Sequence, residues 1–365
     1  MTAVREAMIV AGGPGSRLRP LTADVPKPLL PFCGEPFLAG VLARLADAGI
    51  RRVWLVVGAD PEPFTILRPV AADLGLTLEV VPEPRPLDTA GGVRSVIERC
   101  HGSTMVLNGD VLTDVDLAAV GRRHVDAGAA ATLVLTRVAD TSTFGVCLLE
   151  GTRITGFVEK PAPGTLPGHD TVNAGTYVLE PDALVPFPHG PLSFEREVFP
   201  TLVAEGRHVE GVVSDAVWAD LGTPERYLEG HRLALHGALS WPSLRRFASD
   251  AAGIRRAASA VVADGAVLEG PLLLAEDVHL AAGARVGPDV VLAPGCVIER
   301  EAVVSGSVLG PRTRIGARAR VQGLAGGADV TVGEEATLTG PVTVGAGIHI
   351  PAGDRLDPGS RVPVA

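Results

Sequence analysis

From residue 262 an aliphatic side chain returns every six residues: Val262, Leu268, Leu274, Leu280, Val286, Leu292, Ile298 and Val304 fall at unbroken intervals. After a slip of one, Leu309, Ile315 and Val321 continue the series, and after a second break it resumes at Val332, Leu338, Val344 and Ile350. Neither the helical nor the strand period produces this spacing. It predicts a parallel β-helix, in which each six-residue face turns one aliphatic side chain inward and bends at a small residue. Three faces per coil give about five coils over this stretch.

The first 236 residues have another texture. Short branched runs (Ala7–Ala11, Val53–Gly58, Thr77–Val81, Thr104–Leu107) alternate with helical patterns such as Phe37–Ala48, which Gly49 closes. That alternation predicts parallel pairing in a three-layer α/β sheet. Ala130–Val138, Gly145–Leu149 and Ile154–Val158 are strand-like with no helix between them, so a mixed sheet is expected. Helices are expected again at Glu195–Glu205 and Pro224–Leu235, and Ser240–Arg256 reads as a linker with a short helix. The expected domains are 1–238, a linker 239–257, and a β-helix 258–365.

A net charge of −10 argues against a nucleic-acid partner, which requires a basic face. No apolar run is long enough to span a bilayer, and Met8–Ala11 leads straight into glycines rather than a signal-peptide pattern. Four scattered cysteines (Cys33, Cys100, Cys147, Cys296) with no CxxC spacing fit a reduced, cytoplasmic chain. Of 32 basic residues only Lys27 and Lys160 are lysine, and both sit in Lys-Pro turns. An ammonium is a compact charge that fits between phosphate oxygens where a planar guanidinium does not.

Three further segments carry chemistry. After the strand ending at Ala11, the run Gly12-Gly13-Pro14-Gly15-Ser16-Arg17 brings backbone N–H groups and a guanidinium towards an anion. Leu18 stands where a dinucleotide fingerprint would need glycine, and no Gly-Lys-Ser/Thr of a Walker loop follows. Asp110 follows an apolar strand and should project at the carboxyl edge of the sheet. Asp220 lies between a short apolar run and a helix start, where Thr223 before Pro224 is the better cap. Two such carboxylates could hold Mg²⁺ together with substrate phosphates.

Gly12–Pro31 closely resembles the signature of the sugar-1-phosphate nucleotidyltransferases. Leu87-Asp88-Thr89-Ala90-Gly91-Gly92 resembles that family's nucleotide-base loop, with Asp88 where glycine is usual. Val106-Leu107-Asn108-Gly109-Asp110-Val111 resembles its metal-binding strand end. Phe157–Pro161 and Asn173–Tyr177 resemble its sugar-contacting strands, and Trp218–Pro224 the segment with the second metal-binding Asp. The resemblance implies a Rossmann-like catalytic domain with a mixed sheet, followed by a left-handed β-helix. It further implies attack of a sugar 1-phosphate oxygen on the α-phosphorus of a nucleoside triphosphate, with pyrophosphate leaving.

The roles it implies are specific. Arg17, Lys27, Asp110 and Asp220 are catalytic, the two aspartates holding Mg²⁺. Ala11, Gly12, Gly13, Gly15, Ser16, Asp88, Thr89, Ala90, Gly91, Asn108 and Gly109 bind nucleotide. Gly145, Glu159, Lys160, Asn173, Ala174 and Gly175 bind the sugar phosphate. Several segments, including Ser193–Pro200, most resemble the bacterial mannose-1-phosphate guanylyltransferase branch, which implies GTP and mannose 1-phosphate. Another triphosphate, or another sugar or cyclitol phosphate such as valienol 1-phosphate, would leave almost the same pattern. Two weaker alternatives are a bifunctional acyltransferase using His279 or His349 and a non-catalytic regulatory homologue. The second should have lost phosphate or metal residues that this chain retains. Stacked coils leave exposed ends that need capping or a partner, and a homo-oligomer through the β-helix is expected.

Overall fold

The structure, a computed structural model, describes residues 4–142, 144–162, 164–166 and 168–362. By packing, the chain divides into two compact units, Met1–Gly13 with Val41–Trp218 and Pro14–Gly40 with Ala219–Ala365.

The first unit is built on nine strands: β1 (Glu6–Ala11), β2 (Arg52–Val57), β3 (Thr77–Pro82), β4 (Thr104–Asn108), β5 (Ala131–Arg137), β6 (Gly145–Glu150), β7 (Arg153–Glu159), β8 (Thr171–Leu179) and β9 (Val209–Val213). Their order in one sheet is β3-β2-β1-β4-β8-β5-β9-β7-β6. β1 pairs in parallel with β2 and β4, and β2 with β3, whereas β8 runs antiparallel to β4 and β5. The sheet is therefore mixed, as the helix-free stretch of sequence implied. β2 is buried throughout apart from Arg52, the pattern of a strand covered on both faces. Helices α1 (Phe37–Asp47), α2 (Leu67–Asp73), α3 (Asp88–Val96), α4 (Leu117–Ala127) and α5 (Phe199–Ala204) occur along this part of the chain. Gly49, just beyond α1, has the positive φ of a helix stop.

The chain goes from β1 outward to β2 and β3, then returns to lay β4 on the other side of β1. That reversal opens a crevice beyond the carboxyl ends of β1 and β4, where ligands of open α/β sheets bind.

The expected helix Glu195–Glu205 is irregular. Phe194–Val198 forms a widened π turn before α5, with Ser193 capping through a bond from the Arg196 N–H. Pro200 has no N–H to give to a regular ladder. The wide turn also sets Phe194 and Phe199 on one face, stacked 5.1 Å apart within the core.

In the second unit the six-residue series becomes a parallel β-helix. One face carries six strands at Val261, His279, Val297, Arg314, Thr331 and His349, each paired in parallel with the next. Strand Ile254–Arg256 pairs with Leu272–Leu274, ahead of the first residue of the aliphatic series. The ladder explains both breaks. Leu274 registers with Leu292 eighteen residues on, Leu292 with Leu309 and Leu309 with Gly326 seventeen on, and Gly326 again with Val344 after eighteen. Every residue of the series from Leu274 to Ile350 lies in the core, while Val262 and Leu268 in the first coil are only partly buried. Each buried Leu, Ile or Val contributes about 1.5–3 kcal/mol, which a chain with only 4% aromatics needs.

Segment 14–40 and helix α6 (Pro224–Leu235) belong to the same unit. Phe32, Phe37 and Trp241 form an aromatic cluster, with His231 against Phe32. A Cβ at Gly40 would run into the Trp241 ring. Among the described residues no helix is long and apolar enough to cross a membrane. All four cysteines are free and buried, and burial pushes the Cys100 thiol up to about 11 and those of Cys147 and Cys296 to about 12. Such thiols pack rather than react.

Candidate active site

In the first unit the site residues gather at the carboxyl edge of the sheet. Ala11 ends β1 and Gly12 follows; Asn108 ends β4 and Gly109 follows, donating its N–H to the Val10 carbonyl at 2.7 Å. A side chain at Gly109 would press on that carbonyl and on Ala11, so glycine lets the chain leave β4 close against the end of β1, one residue before Asp110.

Glu83, directly after β3, is the residue sequence reasoning missed. Its N–H bonds to the Val57 carbonyl at the end of β2. Its carboxylate lies in a notch between Gly12 and Gly92, where a Cβ on Gly92 would collide with Oε1 and one on Gly12 would stand 3.0 Å from Oε2. The residue is buried, Oε1 has no hydrogen-bond partner among the described residues, and burial raises its pKa to about 7. A buried acceptor without a partner is costly and points to a donor supplied from outside. The only signal in the sequence was an acid between a strand and a glycine-bearing loop, and nothing there revealed its burial.

The expected base loop opens α3. Asp88 adopts a left-handed φ of 61°, takes the Thr89 N–H at 2.8 Å and pairs with the Arg196 guanidinium. Thr89 Oγ1 donates to Glu195 Oε2 at 2.8 Å and accepts from the Phe194 N–H at 3.0 Å. The Ala90 and Gly91 amides bond to the Leu192 carbonyl, and Gly91 lies so close to the Gly190 carbonyl that no Cβ fits.

The expected sugar strands meet the same edge. Between Asn173 and Tyr177 the pairing of β8 with β5 shifts register, and Gly175 takes a φ of 72° against the Asn108 side chain. Asn173 donates to the Tyr177 hydroxyl at 2.7 Å and to Glu195 Oε1 at 3.4 Å. Glu195, quoted in sequence only as part of a longer motif, thus ties the base loop (Thr89) to the sugar strand (Asn173). The Ala174 carbonyl accepts from the Trp218 indole at 3.0 Å, and Phe144 packs on that indole. Glu159 is in register with Gly145, whose missing side chain leaves room for its carboxylate. Lys160, at a left-handed φ of 44°, bonds through its N–H to the Phe144 carbonyl. Its side chain is 65% exposed, with the ammonium 3.5 Å from Glu159 Oε1.

In the second unit the phosphate-type loop curls on itself. Gly15 is left-handed (φ 59°), and its carbonyl accepts from the Thr22 hydroxyl and the Leu18 N–H. Ser16–Leu18 makes a single tight turn. A Cβ on Gly15 would stand 2.9 Å from that of Lys27, so glycine keeps lysine and loop together. Asp220 collects three cations: Lys27 Nζ at 3.2 Å from Oδ1, and Arg17 and Arg226 guanidinium nitrogens at 3.3 and 3.1 Å from Oδ2. Gly222 leaves space for the Asp220 carboxylate and the Arg17 tip. The Lys27 side chain is only 8% exposed and that of Arg17 66%, so the lysine is enclosed while the arginine reaches solvent. Arg226 did not figure in the sequence reading.

Gly13 has open space where a Cβ would be, consistent with a loop that faces a ligand. Among the described residues no three His, Cys, Asp or Glu side chains cluster as a metal cage.

In the first unit a switch crevice with a glycine turn and a polar ledge, and in the second a buried lysine paired with an aspartate, are features that fit a nucleotidyltransferase. The chain belongs to the nucleotidyl transferase family, whose pattern it matches over residues 6–237. It is 38% identical over 310 residues to the mannose-1-phosphate guanylyltransferase of Mycobacterium tuberculosis, covering 81% of this chain and 83% of that protein. It is 30% identical over 301 residues to mannose-1-phosphate guanylyltransferase 1 of Arabidopsis thaliana, covering 80% and 78%. Among solved structures, HddC of Yersinia pseudotuberculosis complexed with GMP-PN is similar with a TM-score of 0.52 at 25% identity, over 63% of this chain and 99% of that one.

Proposed function

We propose that the protein transfers GMP from GTP to mannose 1-phosphate, giving GDP-mannose and pyrophosphate. The relatives' names support the pair of substrates, and the observation that carries the guanine assignment is Glu83. Guanine presents two N–H donors side by side on its Watson–Crick edge, which match an ionised carboxylate; adenine presents one donor beside an acceptor. In this reading Glu83 takes the base, a role that Asp88, already paired with Arg196, leaves open.

A phosphate oxygen attacks without a protein nucleophile, so the chain's work is positioning and charge neutralisation. Ala11, Gly12, Gly13, Gly15 and Ser16 line the triphosphate path, and Arg17 holds its leaving end. Lys27 offsets charge developing at the α-phosphorus. Thr89, Ala90, Gly91, Asn108 and Gly109 frame the nucleoside. Asn173, Ala174, Gly175, Gly145 and Glu159 take sugar hydroxyls, and the exposed Lys160 swings onto the sugar phosphate. Asp110 and Asp220 offer carboxylate oxygens to Mg²⁺, which when bound supplies neutralisation of the reacting phosphates. The proposed organisation is a catalytic segment 1–238, a linker 239–257 and a β-helix 258–365, working in the cytoplasm without membrane or nucleic-acid partners.

The partly buried first coil, with Val261 and Val267 exposed, supports a homo-oligomer formed through the β-helix. Pyrophosphate release measured over four triphosphates and several sugar and cyclitol 1-phosphates tests the whole reading. GTP with mannose 1-phosphate should give the highest kcat/KM, and turnover should stop with EDTA and return with Mg²⁺. Preference for another pair refutes the substrate assignment.

A further inference from the structure

Arg361 lies in the last coil of the β-helix, in register with Thr343, and its neighbour Val362 packs against the helix core. Its position is therefore set by the ladder. From there its Nη1 donates to the carbonyls of Arg17 at 3.0 Å and Arg19 at 3.2 Å, 344 and 342 residues earlier.

Among the described residues, those two carbonyls are the ones in the stretch 15–20 that accept no bond from within the loop. Its internal bonds employ the carbonyls of Gly15, Ser16, Leu18 and Pro20, accepting from Leu18, Arg19, Leu21 and Ala23. A loop that turns N–H groups towards an anion must turn carbonyls the other way, and those need partners of their own. Arg361 supplies them with one cationic donor and adds a positive charge behind the loop. It also lowers the carboxyl of Glu225 in the first turn of α6, a smaller influence than the bonds from the Glu225 N–H and Thr223.

We propose that Arg361 is a positioning residue for the triphosphate loop, so that the terminal coil of the β-helix is a working part of the nucleotide site. Arg361 touches no reacting atom; it fixes the peptide planes at Arg17 and Arg19 and through them the aim of the Arg17 guanidinium towards phosphate. The proposal rests on the nucleotidyl-transfer reading for its kinetic consequence, but not for its structural one.

The test uses the full-length protein with Arg361→Ala, Arg361→Lys and, as a control on the same coil, Arg355→Ala. Amide hydrogen exchange of residues 15–22 without nucleotide should speed up roughly five- to tenfold in R361A, and stay at the wild-type rate in R355A. In steady-state kinetics R361A should raise the KM for the triphosphate by a similar factor while leaving the KM for the sugar phosphate within twofold. R361K, which can still donate to both carbonyls, should recover most of the loss. Unchanged loop exchange in R361A overturns the proposal whatever the kinetics show. Faster exchange with an equal rise in both KM values also overturns it, because that pattern reports general loosening. If the wild-type enzyme turns over no triphosphate, the nucleotide reading fails while the exchange experiment still decides the contact.

Discussion

Lys27 Nζ and Asp220 Oδ1 stand 3.2 Å apart although 193 residues separate them in the chain. The pair is nearly closed to solvent on the lysine side and open on the aspartate side, where Arg17 and Arg226 complete the cluster. In the proposed reaction this pair keeps the ammonium ready for a phosphate without leaving it unpaired in the meantime.

Replacing Lys27 with Ala removes the compact charge at the reacting phosphorus, and kcat should fall roughly 100- to 1,000-fold. Arginine should not rescue it, because a planar guanidinium does not place a compact charge between phosphate oxygens. Thermal denaturation should show both variants folded. Turnover within tenfold of wild type would remove Lys27 from the mechanism.

On the proposed role of Glu83, base binding should depend on pH. Its folded pKa of about 7 lies above the 4.5 of an ordinary glutamate, so the folded protein holds a proton that the unfolded chain releases. Stability contributed by the neutral form is intact below about pH 4.5 and is lost as pH rises towards 7, a change of order 1–3 kcal/mol. Guanine binding has the opposite sign, since the ionised form accepts both donors. The KM for GTP should therefore fall as pH rises from 6 to 8, and Glu83→Gln should raise that KM, flatten its pH dependence and narrow the preference over ATP. A pH-independent KM in the wild-type enzyme would contradict the assignment.

Glu195 joins Thr89 to Asn173 through its two oxygens. Glu195→Gln keeps the shape but replaces an acceptor with a donor facing the Asn173 amide and the Tyr177 hydroxyl. Both substrates should bind roughly three- to tenfold more weakly, with little change in kcat. An effect on one KM alone would show that the link is not used.

Acid should loosen the second unit through His231. The ring is fully buried against Phe32 and Tyr227, and burial lowers its pKa from 6.5 to about 4. The unfolded chain takes up a proton between those values and the folded one does not, so stability present above pH 6.5 is lost as pH falls towards 4, by about 3 kcal/mol at most. In His231→Gln the midpoint of thermal unfolding should drop less between pH 7 and pH 4.5 than in wild type. Parallel pH curves for the two proteins would place the acid sensitivity elsewhere.

Much of this molecule is written locally. The six-residue series names the side chains that fill the β-helix, breaks included, because each rung needs one inward aliphatic whatever lies elsewhere. Strand runs ending in Gly12 and Gly109 likewise announce loops at a sheet edge, and Thr223-Pro224 starts α6 at the expected residue. Local pattern misjudged the turn at Phe194–Val198, where a stack between aromatic rings five apart and a proline won over the regular ladder.

Three facts could come only from the folded chain. Glu83 is an ordinary acid in the sequence and becomes a buried acceptor only when Gly12 and Gly92 close round it. Arg226 joins Lys27 and Arg17 on one carboxylate, and Arg361 reaches a loop that precedes it by more than 340 residues. The reason is physical. Periodicity and turn chemistry act over a few residues and are set by steric and hydrophobic demands that each segment carries with it. Burial, ion pairing and the satisfaction of distant carbonyls depend on which segments the packed core brings side by side, and no short stretch of sequence holds that information.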